Sequence, residues 1–141
     1  MVKISSFQAL RPAKKWVKKV PTKTYLNYSE TEIIKEKKNN PYSFLNIIHQ
    51  RNIKNLDKRF LNIRLAINDF KEKNILMEET EMSLYIYQQS KRKKKYIGFI
   101  CAIDLRDYKN NKIKIHEKTI KKTELLFKKY LQITKIHAEP V

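Results

Sequence analysis

At 141 residues the chain has room for one domain, and 41% hydrophobic with 33% charged residues is a globular rather than a disordered composition. No run approaches the roughly 20 apolar residues of a membrane-spanning helix, and residues 1–7 lack the apolar stretch of about 7 to 15 residues that defines a secretory signal. A cytoplasmic location with no membrane partner is therefore expected, and the net charge of +18 makes polyanions the first partner class to weigh.

Residues 4–12 are predicted to be extended up to Pro12, and Pro21 interrupts the chain again. Ser29, with Glu32 three residues on, has the spacing of a capping box and predicts a short helix over about 30–38. Asn39-Asn40-Pro41 ends it, because the residue before proline disfavours the α region. The apolar run 43–48 is predicted to be a short strand. The clearest element is a helix over about 56–73, in which Leu56, Phe60, Ile63, Ile67 and Phe70 recur at helical spacing. Asn55 is its natural N-cap, and Leu61, Leu65 and Ala66 widen the stripe enough to pack on a sheet.

Residues 82–88 and 96–104 form the two strands of a predicted hairpin, with Leu84 and Ile86 on one face and Tyr85 and Tyr87 on the other. The run Lys91-Arg92-Lys93-Lys94-Lys95 falls at its tip, where a solvated loop is the ordinary home for charge. Cys101, in an apolar run, reads as a buried core thiol. Asn110-Asn111 marks a turn, Ile113 and Ile115 a short strand, and Thr119 a cap for a last helix over about 120–133 that buries Leu126, Tyr130 and Ile133. The expected fold is thus α+β, a single unit over 1–141. A mixed sheet including the hairpin at about 82–104 is packed by the helices at about 56–73 and 120–133.

The chemistry is sparse. A single Gly excludes the Gly-rich loops that cradle phosphate in P-loop and dinucleotide folds, as well as the serine nucleophile elbow. The three His residues, 49, 116 and 137, are too scattered for a zinc motif, so no metal site is expected. Nor is base readout favoured: Lys outnumbers Arg 26 to 6, whereas the bidentate fork of Arg suits base edges. The excess of Lys accompanies 18 Ile and 11 Asn but only one Gly and five Ala, the signature of an A/T-rich genome. Nucleic-acid binding is therefore the alternative reading and not the first. What remains is the stretch from Asp107-Tyr108 through His116-Glu117-Lys118-Thr119 to Glu124, where titratable groups cluster at a strand-to-helix junction. His116 could act as acid, base or donor and Glu117 as base or metal-bridging carboxylate. Glu117 and Thr119 could equally do no more than satisfy open helix-start amides.

The ordered blocks Phe7-Gln8-Ala9-Leu10-Arg11-Pro12, Asn40-Pro41-Tyr42-Ser43-Phe44-Leu45, Leu84-Tyr85-Ile86-Tyr87-Gln88, Gly98, Asp107-Tyr108, Ile113-Lys114-Ile115-His116-Glu117-Lys118-Thr119 and Ala138-Glu139-Pro140-Val141 resemble the uncharacterised bacterial family called domain of unknown function 1015. The resemblance spans essentially the whole chain. Members of that family are much longer, so the resemblance implies an N-terminal fragment, an incomplete domain whose remainder a separate chain could carry. The chain is then expected to be a truncated member, poorly stable and without independent activity. The family is distantly similar to the ParB and sulfiredoxin-like fold, some branches of which phosphorylate free serine. That similarity implies small-molecule phosphotransfer for the intact relatives, with a nucleotide entering as cofactor on this ground alone. It makes Arg11 and Lys122 candidate phosphate contacts, adds Thr119 and Glu124 as candidate substrate contacts, and casts Glu117 as base beside His116. Two departures weaken it. Pro21-Thr22-Lys23-Thr24-Tyr25-Leu26-Asn27 lacks the acidic residue of the family's Pro-Pro-Tyr-Asp block, and Thr123 and Leu125 break the pattern around Glu124.

Overall fold

The computed structural model describes residues 1–23, 27–50, 52–114 and 120–138. In chain order the elements are β1 (Ile4–Ser5), β2 (Leu10–Pro12), a 3-10 turn at Lys14–Trp16, α1 (Glu30–Asn39), α2 (Leu45–Ile48) and α3 (Leu56–Glu72), followed by β3 (Leu76–Glu78), β4 (Tyr85–Lys91), β5 (Lys94–Ile100), β6 (Ala102–Ile103), α4 (Leu105–Lys109) and α5 (Lys121–Thr134). The class is α+β. Among the described residues the strands do not form one mixed sheet. They make three antiparallel pairs, β1 with β6, β2 with β3 and β4 with β5.

The helix starts follow local chemistry. Ser29 and Glu32 form the full capping box, with the Ser29 side chain accepting from Glu32 N–H and the Glu32 carboxylate accepting from Ser29 N–H. That carboxylate is held below its ordinary range, chiefly by the Ser29 backbone N–H. Asn55 caps α3 by accepting from Lys58 N–H at 3.0 Å. One face of α3, carrying Phe60, Ile63, Ile67 and Phe70, is buried with Val20, Ile47, Ile75 and Leu76 to make the core. The stripe is narrower than expected, since Leu56, Leu61 and Leu65 are exposed, although Ala66 packs half-buried against the core as expected. The helix also packs on α2, α5 and the short β3 rather than on a broad sheet, and so needs only its four-residue seam.

Residues 45–48 are helical, against the expected strand. Their burial nevertheless alternates as a strand's would, with Ser43, Leu45 and Ile47 buried and Phe44, Asn46 and Ile48 half-buried. The backbone decides otherwise, because Ile48 N–H donates to Phe44 C=O and His49 N–H to Leu45 C=O. Asn40 supports the turn, accepting from Tyr42 N–H at 3.2 Å while its amide donates to Lys19 C=O at 2.7 Å. Wedged against α1 and α3, so short a turn is surrounded on several sides, and its burial therefore loses the helical period.

The remaining differences are local. The tip of the hairpin is the two-residue turn Arg92-Lys93, and Lys91 pairs with Lys94 across it. Cys101 is half-buried rather than core. Asp104 caps α4, an unexpected short helix, and its carboxylate is strongly depressed by hydrogen bonds from the Arg106 side chain and backbone. Ile113 carries no strand, and Ile115 lies outside the described residues. The last helix begins at Lys121 with Ile120 in the cap position and no side-chain cap; Thr119 lies outside the described residues. Leu126, expected on its buried face, is exposed, while Tyr130 and Ile133 pack half-buried against the core. Among the described residues no helix is long and apolar enough to cross a membrane.

Candidate functional site

A cleft of about 690 Å³ opens between α3 and α5. Its α3 wall carries Arg59, Phe60 and Ile63, and its α5 wall Thr123, Leu126, Phe127 and Tyr130. Leu10, Pro12 and Leu76 of the β2–β3 pair form one side, and the segment after the 3-10 turn contributes Val20 to Lys23. The walls are tied at two levels. Phe60 and Tyr130 meet edge to face with ring centroids 5.4 Å apart, and Lys129 of α5 pairs with Asp57 of α3 at 2.5 Å. Phe127 stacks on Tyr130 at 5.9 Å and meets the His137 ring edge-on at 5.5 Å, so one wall is largely aromatic.

Polar groups enter at the end of α2 and the start of α3. His49 lies with Nε2 3.6 Å from the Glu30 carboxylate, and its carbonyl accepts from Lys37 Nζ at 3.1 Å. The Gln50 amide donates to Asn46 C=O, and the Arg59 fork donates to Ile53 C=O through Nε at 2.9 Å and Nη2 at 2.7 Å. The first bond holds Gln50 to α2, and the Arg59 pair ties Ile53 to α3 and holds the guanidinium on the cleft wall. Lys23 and Arg59 are the cations of the lining, and no carboxylate lines it among the described residues. Electrostatically the cleft suits an anion with an apolar portion.

The predicted residues distribute unevenly around this cleft. Lys122 is exposed in the first turn of α5, one residue before the lining Thr123, where the helix start has no side-chain cap. Glu124 is also exposed, and its N–H closes the first helical hydrogen bond to Ile120 C=O. Arg11 is the middle residue of β2, whose neighbours Leu10 and Pro12 line the cleft, so strand alternation turns Arg11 to the opposite face. There it pairs with Glu79, whose hydrogen bond and charge hold its proton more tightly. Arg11 and Lys122 are therefore not brought together. His116, Glu117 and Thr119 lie outside the described residues.

Sequence reasoning missed Lys23, His49, Gln50 and Arg59. For Arg59 a signal existed, since it precedes Phe60 on a helix whose buried face was legible. No motif marks the other three, which the cleft collects from separate turns. A second hollow of about 540 Å³ lies between residues 7–10, α3 and the segment after α5, with Arg64, Lys71 and Lys135 in its lining. It shares Leu10, Phe44, Leu76 and Ala138 with the first, and Glu78 neutralises Lys71 at 2.8 Å.

No curated protein matches the chain, and no solved structure matches it. A family match covers residues 4–141, which includes β1, both walls of the cleft and the blocks on which the sequence resemblance rests. The chain thus belongs to the family described as protein of unknown function (DUF1015).

Proposed function

We propose that the chain binds a small anionic molecule, a phosphorylated or carboxylated acid of the serine class, in the α3–α5 cleft, and that by itself it does not turn that molecule over. The observation that carries this reading is the make-up of the cleft: an aromatic wall at Phe127 and Tyr130, two cations at Lys23 and Arg59, and no carboxylate among the described lining residues. An anion entering such a site meets no carboxylate among the described lining residues, with Glu30 held behind His49, and the two cations replace part of the solvation it loses. Small-molecule phosphoryl transfer, the reaction class that the resemblance implies for intact relatives, fits such a ligand, with Lys122 near the mouth as a phosphate contact. The separation of Arg11 from Lys122 favours binding without turnover, because phosphoryl transfer needs its phosphate contacts convergent.

Titration calorimetry with O-phosphoserine, serine and a nucleoside triphosphate, run beside a labelled-nucleotide turnover assay, tests both halves. Saturable binding of at least one of these ligands is expected, weakened several-fold by Lys23→Ala and by Lys122→Ala, with no labelled product. Binding that neither substitution changes would remove the cleft from consideration, and turnover by the chain alone would overturn the second half.

A further inference from the structure

The β4–β5 ribbon is an arm rather than part of the body. Tyr85 anchors its base, accepting from Ala9 N–H at 2.9 Å and donating to Phe7 C=O at 3.2 Å, with the Phe7 ring 5.0 Å away. From residue 86 to residue 97 every position on both strands is exposed. A two-stranded ribbon bare on both faces is marginal in water and gains from a partner.

The chemistry of the arm says which partner. Lys91 to Lys95 put five cations around a two-residue turn, and none of them pairs with a carboxylate among the described residues. No Asp or Glu occurs between Glu81 and Asp104. A bias toward A/T-rich codons would raise the lysine count along the whole chain, but it would not gather five cations at the end of a projecting ribbon. Arg92 at the apex has φ 55, a left-handed backbone that ordinarily falls to Gly or Asn, yet a cation holds it. Behind the tip Gln88, Gln89 and Ser90 supply neutral hydrogen-bonding groups.

We propose that this ribbon docks in the major groove of duplex DNA and binds its phosphate backbone without reading sequence. The groove is about 12 Å wide and admits a two-stranded ribbon, whereas the deep, narrow major groove of A-form RNA does not. Lysine, a point charge on a flexible stem, suits phosphate contacts that need no fixed geometry. A bilayer fits less well. Ile86, Ile97 and Phe99, 73%, 68% and 73% exposed, lie behind the charged end, so a tip-first approach leaves them in water.

The test is fluorescence anisotropy of the whole chain with a mixed-sequence DNA duplex between about 50 and 200 mM salt. If all five cations neutralise phosphates they contribute about −4.5 to the logarithmic salt slope, or roughly 500-fold in affinity over that range. Changing residues 91–95 together to Gln lowers the net charge from +18 to +13, as does a control changing Lys35, Lys38, Lys54, Lys58 and Lys128 to Gln. The tip variant is expected to flatten the slope by about 4 and lose more than ~100-fold in affinity at low salt, while the control stays within ~3-fold of the parent. Circular dichroism checks that both remain folded. Equal losses in the two variants, tighter binding to duplex RNA, or binding to phosphatidylserine vesicles in place of DNA would each overturn the proposal. So would the absence of any duplex binding.

Discussion

Replacing Ile47 by Ala tests the core and the cleft wall together. Ile47 is 0% exposed, lines neither hollow, and lies immediately before Ile48, His49 and Gln50 on the cleft wall. The substitution removes three buried carbons, about 2.4 kcal/mol at ~0.8 kcal/mol each. A cavity of about 80 Å³, if unrelaxed, adds up to about 1.9 kcal/mol at ~24 cal/mol per Å³. The expected loss is therefore about 2.4 to 4.3 kcal/mol. At a urea dependence of about 1.5 kcal/mol per molar, the midpoint moves down by about 1.6 to 2.9 M. Leu65→Ala is the internal reference, because Leu65 lies on the same kind of apolar stripe by sequence but is exposed, and it should cost less than about 0.5 kcal/mol. Urea titrations followed by circular dichroism, with unchanged slopes, supply both numbers. A loss below about 1 kcal/mol for Ile47→Ala, or one above about 1.5 kcal/mol for Leu65→Ala, would refute the burial pattern on which the α2–α3 wall rests.

Removing the α3 cap by Asn55→Ala should cost about 1 kcal/mol, read in the same titration, because Lys58 N–H loses its acceptor. Acid sensitivity follows from three depressed carboxylates. Asp107 is lowered chiefly by the Lys112 side chain and then by Lys3 N–H, and Glu32 and Asp104 are lowered by the hydrogen bonds at their caps. A depressed folded value means that the unfolded chain takes up the proton first. Their stabilisation is therefore complete above the ordinary carboxylate range and is lost as pH falls through the folded values. Melting temperature should accordingly decline below about pH 4, and Asp107→Asn should make that decline shallower. A melting temperature flat from pH 6 to pH 2.5 would contradict these assignments.

Elements defined by neighbours within four residues are legible in the order of the amino acids alone. Ser29 and Glu32 set the start of α1, Asn55 sets the start of α3, and the spacing of Phe60, Ile63, Ile67 and Phe70 sets its inner face. The two strand runs around five consecutive cations set the hairpin. At 43–48 local reasoning fails, since burial there alternates like a strand's while the hydrogen bonds are helical. The pairing of β1 with β6 is also out of its reach, because Ile4 and Ile103 are joined by no local signal.

Residue type and short spacing were enough to establish the class, the helix caps, the family blocks and the charge that gathers at one turn. Tertiary packing was needed to turn Leu61 and Leu65 outward, to direct Arg11 to Glu79, and to bring Lys23, His49 and Arg59 to one cleft. These are matters of which distant surfaces meet, and an exposed or a buried leucine reads the same until its neighbour across the core is known.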